Sequence, residues 1–206
     1  MKAKLKYTFF YTFFYSKFVF MLQNIQVQIA SQLDIDSVLQ LQELYLVTNL
    51  LDTEKKDGFV TTPFTKAQLQ YVIQNQGLFI AKDKNVVIAY IFAESWLFFS
   101  QYPIFKYMIT LLPSIQFLEY NFTTQNSFQY GPVCIHKNYR GMGLINVLFE
   151  FMRANISKKF PLGLTFINKI NVPSLIAHTK KLKWCVVGNF QFNNNEYFIL
   201  AYDMNS

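Results

Sequence analysis

Tyr130-Gly-Pro-Val-Cys-Ile-His-Lys-Asn-Tyr-Arg140-Gly-Met-Gly-Leu-Ile145 is the stretch on which the fold turns. It begins as an apolar strand, passes through a short loop and opens a helix that runs from Gly143 to Ser157, with Leu144, Val147, Leu148, Phe151 and Met152 inward. Gly131, Gly141 and Gly143 are three of the seven glycines in the chain. Such spacing indicates unusual backbone freedom or close approach by a ligand. In Tyr139-Arg140-Gly141-Met142-Gly143-Leu144, successive amide N–H groups can turn toward one point at the helix N-terminus, where unpaired donors and the helix dipole favour an anion. Charge-assisted hydrogen bonds of about 1.5–3 kcal/mol each, with roughly 0.3–1 kcal/mol from the dipole, suffice to hold a diphosphate at micromolar concentration. The loop is neither a Walker loop nor a Gly-x-Gly-x-x-Gly dinucleotide turn, and a purely structural turn is the plain alternative.

Outward from this stretch, helices alternate with strands. The alternation at 25–30 gives a strand, and Ser31 or Asp34 caps a helix whose apolar positions run from Ile35 to Leu50. Residues 52–58 read as a charged loop. Thr65 caps a second, short helix closed by Gly77, and a hairpin follows at 78–81 and 86–96 around Asp83-Lys84-Asn85. Beyond an apolar insert at about 97–127, with a helix at 104–112, come strands at 128–135, 162–167, 184–187 and 197–202 and a helix at 173–182. This order predicts an α/β (α+β) fold, a mixed central β-sheet flanked by helices in a single domain.

The central stretch resembles motif A of the GNAT-type, acetyl-CoA-dependent N-acetyltransferases, whose pattern is Arg/Gln-x-x-Gly-x-Gly/Ala between a strand and a helix. Arg140 and Gly143 match the first two fixed positions, and Ile145 departs from the third. Asn171-Val-Pro-Ser174, continuing to His178 and Lys183-Trp184, is similar to the family's Asn-x-x-Ala/Ser helix. His178 stands where the family usually has Tyr, and Lys183-Trp184 replaces Gly-Phe one residue late. The resemblance covers about residues 25–203. It implies a kinked strand whose Val133 and Ile135 hydrogen-bond the pantetheine arm, with Gly131 and Pro132 suited to making the kink. By the same resemblance acetyl-CoA, as cosubstrate, is bound by Val133, Cys134, Ile135, Arg140, Gly141, Met142, Gly143, Leu144, Ile145, Asn171 and Ser174.

The activity so implied is direct transfer of an acetyl group to a primary amine of a small molecule or peptide. An oxyanion develops near the amide of Val133 or Cys134, and an amine of pKa near ~10 must shed a proton while a thiol of pKa near ~8.5 gains one. His178 is the candidate acid, as an imidazolium; a packed helix-face histidine is the alternative. Glu94, inside the apolar run Val86 to Trp96, is the candidate base, with Tyr130, Glu119 and a water as alternatives. Cys134 is expected to pack, not to form a covalent acetyl-enzyme, and His136 to lie at the surface. Lys180, Lys181 and Lys183 either draw the cosubstrate's phosphates or form a solvated helix end. The insert is a lid over an apolar acceptor, added core or a dimer face, which leaves monomer and homodimer both open. A catalytically silent acyl-CoA-binding regulatory module is the rival reading, because the family's Tyr is absent.

Composition bounds these expectations. The chain has 206 residues, of which 52% are hydrophobic and 15% charged, ruling out a disordered chain. Two cysteines, Cys134 and Cys185, cannot build a disulfide scaffold, and no metal-ligand spacing occurs, so a cytoplasmic setting and no metal are expected. Four lysines in the first twenty residues supply over half of the net charge of +7. Residues 21–136 carry 6 basic against 9 acidic groups and residues 137–206 carry 9 against 3, so no nucleic-acid partner is expected, while an anion suits the C-terminal half. Residues 1–20 hold nine of the 38 aromatics, and their apolar run is too short and too charged to span a bilayer. We read them as a non-native extension ahead of a domain at 21–206, with a membrane-surface anchor as the functional alternative.

Overall fold

The computed structural model describes residues 24–206, so the expectations for residues 1–20 lie outside the described residues. In chain order the strands are β1 (Ile25–Ile29), β2 (Leu78–Asp83), β3 (Val86–Glu94), β4 (Gln116–Phe117), β5 (Tyr120–Asn121), β6 (Ser127–Ile135), β7 (Leu162–Asn168), β8 (Cys185–Phe192) and β9 (Asn195–Asp203). Seven of them form one mixed sheet in the order β1-β2-β3-β6-β7-β9-β8, and β4 and β5 make a separate two-stranded ribbon. Every neighbouring pair in the large sheet is antiparallel except β6 and β7. That pair is hydrogen-bonded only from Ser127 to Gln129, opposite Leu162 to Leu164. Beyond it the two strands part, and the sheet opens like a V.

The helices are α1 (Ile35–Tyr45), α2 (Asp52–Lys55), α3 (Lys66–Gln74), α4 (Trp96–Phe99), α5 (Pro103–Leu111), α6 (Leu144–Ile156) and α7 (Val172–Ile176). On one face α1 and α3 cover β2 and β3 with Ile35, Val38, Leu41, Leu69, Val72 and Ile73. On the other, α6 presents Leu144, Leu148, Phe149 and Met152. Their helical spacing makes each stripe continuous, and its burial drives the helix onto the sheet. The insert is added core: Met108 and Leu112 of its helical part pack with Leu162, Leu164, Phe190, Tyr197 and Ile199.

Several elements differ from the sequence reading, among them the first helix, which ends at Tyr45 instead of running on to Leu50 because Leu46 turns extended and bridges Val60. The charged loop at 52–58 contains the short helix α2, because Glu54 accepts from the Leu51 N–H (2.9 Å) and Asp52 pairs with Lys55 (2.7 Å). The hairpin of β8 and β9 is longer than expected: Asn193 and Asn194, at φ 47° and 60°, form a two-residue left-handed turn that lets the ladder close up to it. The helix expected at 173–182 is α-helical only to Ile176 and continues as a π-helical turn over Ala177–Lys181.

Candidate active site

Where β6 leaves β7, its register with β3 slips: Ile91 faces Val133, but Ala93 faces Tyr130, so Gly131 and Pro132 together oppose Phe92. This bulge resets the alternation of the strand. Phe128 and Tyr130 before it, and Val133 and Ile135 after it, all face the side of the sheet that carries α6. Cys134 points to the opposite layer, beside Leu41 and Tyr90.

The bulge also decides which amides are free. His136 N–H donates to Ile88 O at 2.8 Å, so along this antiparallel ladder Tyr90 and Cys134 exchange bonds, while Val133 and Ile135 turn theirs away from β3 into the V. Ile135 O is taken there by Arg140 Nε at 2.8 Å. The Val133 N–H and C=O and the Ile135 N–H remain available. Of the two amides expected to serve an oxyanion, only that of Val133 faces the opening.

The glycine loop closes one end. Gly141 and Gly143 have φ of 78° and 71°, and a side chain on either would meet nothing within 4 Å, so the loop borders open space. Gly143 is the N-cap of α6, and the first amides bonded back to the loop are those of Asn146 and Val147, both onto Gly143 O. Among the described residues the N–H groups from Gly141 to Ile145 have no acceptor. The side chain of Arg140 stiffens the loop from behind: besides Ile135 O, its guanidinium donates to Asp57 O at 2.5 Å and lies 4.6 Å above the Tyr45 ring. Ile145, the departure from the motif, is buried against the α6 layer and leaves its amide free.

The other wall is α7 with its π turn. Asn171 caps α7 by accepting from Ser174 N–H at 3.3 Å and donates through Nδ2 to Phe59 O at 3.3 Å. Arg140 and Asn171 thus hold the segment 57–60 across the cleft as a strap. His178 is 5% exposed, packed edge-on against Tyr130 with ring centroids 5.5 Å apart and near Trp184 at 6.3 Å. Its Nδ1 lies 2.7 Å from the carbonyl oxygen of Ser174, which can only accept, so Nδ1 carries the proton and Nε2 is the acceptor. Burial pushes the imidazole down to about 4. The ring is therefore neutral near pH 7, and the expectation of a resident imidazolium acid is corrected.

Val133, Cys134, Ile135, Arg140, Gly141, Gly143, Leu144, Ile145, Asn171, Ser174 and His178 line one cleft of about 220 Å³; Met142 does not line it. A smaller recess of about 90 Å³ continues it between β6 and β7 and shares Val133, Asn171, Ser174 and His178 with it. Glu94 is in neither. It pairs with Gln129 beyond the bulge, its Oε1 accepts from Ser95 N–H at 2.7 Å, and its carboxylate abuts Gly77, so the structure removes it from the expected role of base. Burial raises the Tyr130 phenol and pushes the Cys134 thiol up to about 12, which leaves no thiolate for covalent chemistry.

Sequence reasoning missed the strap, Tyr45, Thr165 and Tyr197, which arrive from distant segments and carry no local signal. It also missed that Lys183 takes the left-handed conformation (φ 64°), in the place of the family's Gly, with Trp184 buried after it. Of the three lysines expected near the phosphates, Lys181 alone borders the cleft. Among the described residues no helix is long and apolar enough to cross a membrane, and no group of metal-ligating side chains occurs.

No family model matches the sequence, and no curated protein matches it. Solved structures match its fold. An acetyltransferase of the GNAT family from Streptococcus agalactiae 2603 superposes with a TM-score of 0.58 at 14% identity, over 88% of this chain and 96% of that one. The ribosomal-protein-S18-alanine N-acetyltransferase from Escherichia coli gives 0.54 at 10% identity, over 87% and 94%. The NatC complex bound to Gag peptide and CoA gives 0.56 at 12% identity, over 87% and 98%. The parted strands, the bulge in β6 and the glycine loop ahead of α6 thus stand in a mixed seven-stranded sheet that is the fold of the GNAT-type N-acetyltransferases.

Proposed function

We propose that the chain is an acetyl-CoA-dependent N-acetyltransferase that acts by direct transfer on the primary amine of a small molecule or peptide. One observation carries this reading: Gly141, Gly143, Leu144, Ile145 and Val133, whose amides are free, line the same cleft as a buried, neutral histidine. The residues fit the cosubstrate. The loop amides at the α6 N-terminus suit a diphosphate, Lys181 adds a cation at that end, and the unpaired N–H and C=O groups of β6 suit the amides of a pantetheine arm.

When bound, acetyl-CoA supplies a thioester whose carbonyl carbon an amine attacks and whose thiol departs. Val133 N–H is the donor for the carbonyl oxygen as charge builds on it. His178 Nε2 is the acceptor for the proton the amine sheds, and Nδ1–H on Ser174 O fixes that orientation. The reaction moves a single proton from nitrogen to sulfur. An imidazole that prefers to be neutral can take it and return it, so His178 serves as base and then acid at one atom. Asn171 orients this wall by capping α7 and, together with Arg140, holds the strap across the cleft.

Titration calorimetry with acetyl-CoA and a thiol-release assay over a panel of amines test the reading together. Saturable binding with turnover of at least one amine is expected. Binding without turnover favours the silent acyl-CoA-binding module, and no binding overturns both.

A further inference from the structure

The cleft and the recess are separate volumes, of about 220 and 90 Å³, that meet at a neck. Six residues border both: Phe59 and Val60 from the strap, Val133 from β6, and Asn171, Ser174 and His178 from α7 and its π turn. His178 and the free Val133 amide are therefore both at the neck, and a thioester laid along β6 from the glycine loop has its carbonyl there. Acyl carbons beyond that carbonyl lie in the neck or must pass through it.

Of the six residues, Phe59 is the large one with no other task. Val60 and Val133 pack into the two core layers, Asn171 caps α7, and His178 lies against Tyr130. Phe59 is half-buried, belongs to none of the three core clusters and, among the described residues, pairs with no other ring. Val60 beside it bridges Leu46 and turns its side chain into the cluster that holds Leu41 and Tyr45. The alternation of an extended chain then puts Phe59 and Thr61 on the opposite side, and Thr61 indeed borders the recess.

The backbone that carries this ring is pinned along its length. Arg140 donates to Asp57 O at 2.5 Å, Asn171 Nδ2 to Phe59 O at 3.3 Å, Val60 N–H to Tyr45 O at 2.8 Å, and Val47 N–H to Val60 O at 2.8 Å. At Gly58 a Cβ would stand 3.7 Å from Asn171 Oδ1 and 3.9 Å from Pro173 Cβ, so the strap lies directly on α7. A bulky apolar group held at the neck by a fixed main chain sets the width of the passage.

We infer that Phe59 determines acyl-chain length: its ring closes the neck to chains longer than acetyl, and without it the neck opens into the recess. The inference rests on the N-acetyltransferase reading and deepens it. One methylene against an apolar wall is worth roughly 10–200-fold in discrimination.

The test is titration calorimetry of the native protein, Phe59→Ala and Phe59→Trp with CoA, acetyl-CoA, propionyl-CoA and butyryl-CoA. CoA has no acyl group to meet the ring, so in each protein it is the internal reference. The native protein should bind butyryl-CoA at least about tenfold less tightly than acetyl-CoA, and in Phe59→Ala that gap should close to less than about threefold. In Phe59→Trp, propionyl-CoA should fall to the level of butyryl-CoA. A merely structural role of Phe59 would shift CoA and the thioesters together and leave their ratios as they are in the native protein. Equal affinity of the native protein for acetyl-CoA and butyryl-CoA, or native ratios retained in both variants, would overturn the inference. Failure of the native protein to bind CoA and acetyl-CoA would instead overturn the reading beneath it.

Discussion

Acidification should destabilise this protein through His178 by an amount that can be worked out from its surroundings. The ring is buried against Tyr130 and Trp184, and its ordinary value of 6.5 is pushed down to about 4 in the folded chain. In the unfolded chain it titrates normally. Below pH 6.5 the unfolded state therefore takes up a proton that the folded state refuses, so stability is fully present above pH 6.5 and falls as pH moves toward 4. Each pH unit between the two values is worth about 1.4 kcal/mol, so the loss at pH 5 is about 2 kcal/mol and the full effect about 3 kcal/mol. Urea unfolding of the native protein and of His178→Gln, followed at pH 7.5, 6.5, 5.5 and 5.0, isolates the contribution, because carboxylates that titrate in this range are common to both. The native protein should lose about 2 kcal/mol more than the variant between pH 7.5 and 5. Parallel curves would refute the argument and show that the imidazole is protonated or water-accessible in the native state.

Gly143→Val puts a β-branched residue at φ 71°, a strain of about 1–2 kcal/mol, and should weaken acetyl-CoA binding by tenfold or more in calorimetry; unchanged affinity would show that the loop does not hold the phosphates. Arg140→Lys keeps the charge but loses the fork that reaches Ile135 O and Asp57 O, so denaturant unfolding should show a loss of about 1.5–3 kcal/mol. Gly77→Ala drives a methyl to 2.8 Å from the Ala93 carbonyl and the Glu94 carboxylate, and should cost about 1–3 kcal/mol of stability, seen as a lower Tm. Glu94→Gln should change kcat less than about threefold, since the carboxylate lies outside the cleft; a loss of about 10²-fold, the lower end for a general base, would return it to the mechanism.

Much of the fold is written locally. Thr65 with Gln68 starts α3 as a capping box, Pro103 starts α5, and the spacing of Leu144, Leu148 and Met152 sets which side of α6 meets the sheet. The glycine loop before α6 is legible for the same reason: Gly141 and Gly143 take left-handed conformations that larger residues resist, so their presence in the sequence states the geometry. The length of the β8–β9 hairpin was harder to read, because Asn193-Asn194 makes its turn without glycine.

What the sequence by itself determined is the order of elements and the place of the glycine loop before α6, since both follow from interactions within a few residues. Only the tertiary structure decided the state of the chemistry. Glu94 and His178 look alike as candidates along the chain, each a titratable group in an apolar setting. The register slip at Gly131 and Pro132 leaves Glu94 on the closed part of the sheet and turns Val133 into the opening, and the π turn lays His178 against Tyr130. A proton's affinity for a side chain depends on every group packed around it, and those groups come from strands and helices far apart in sequence.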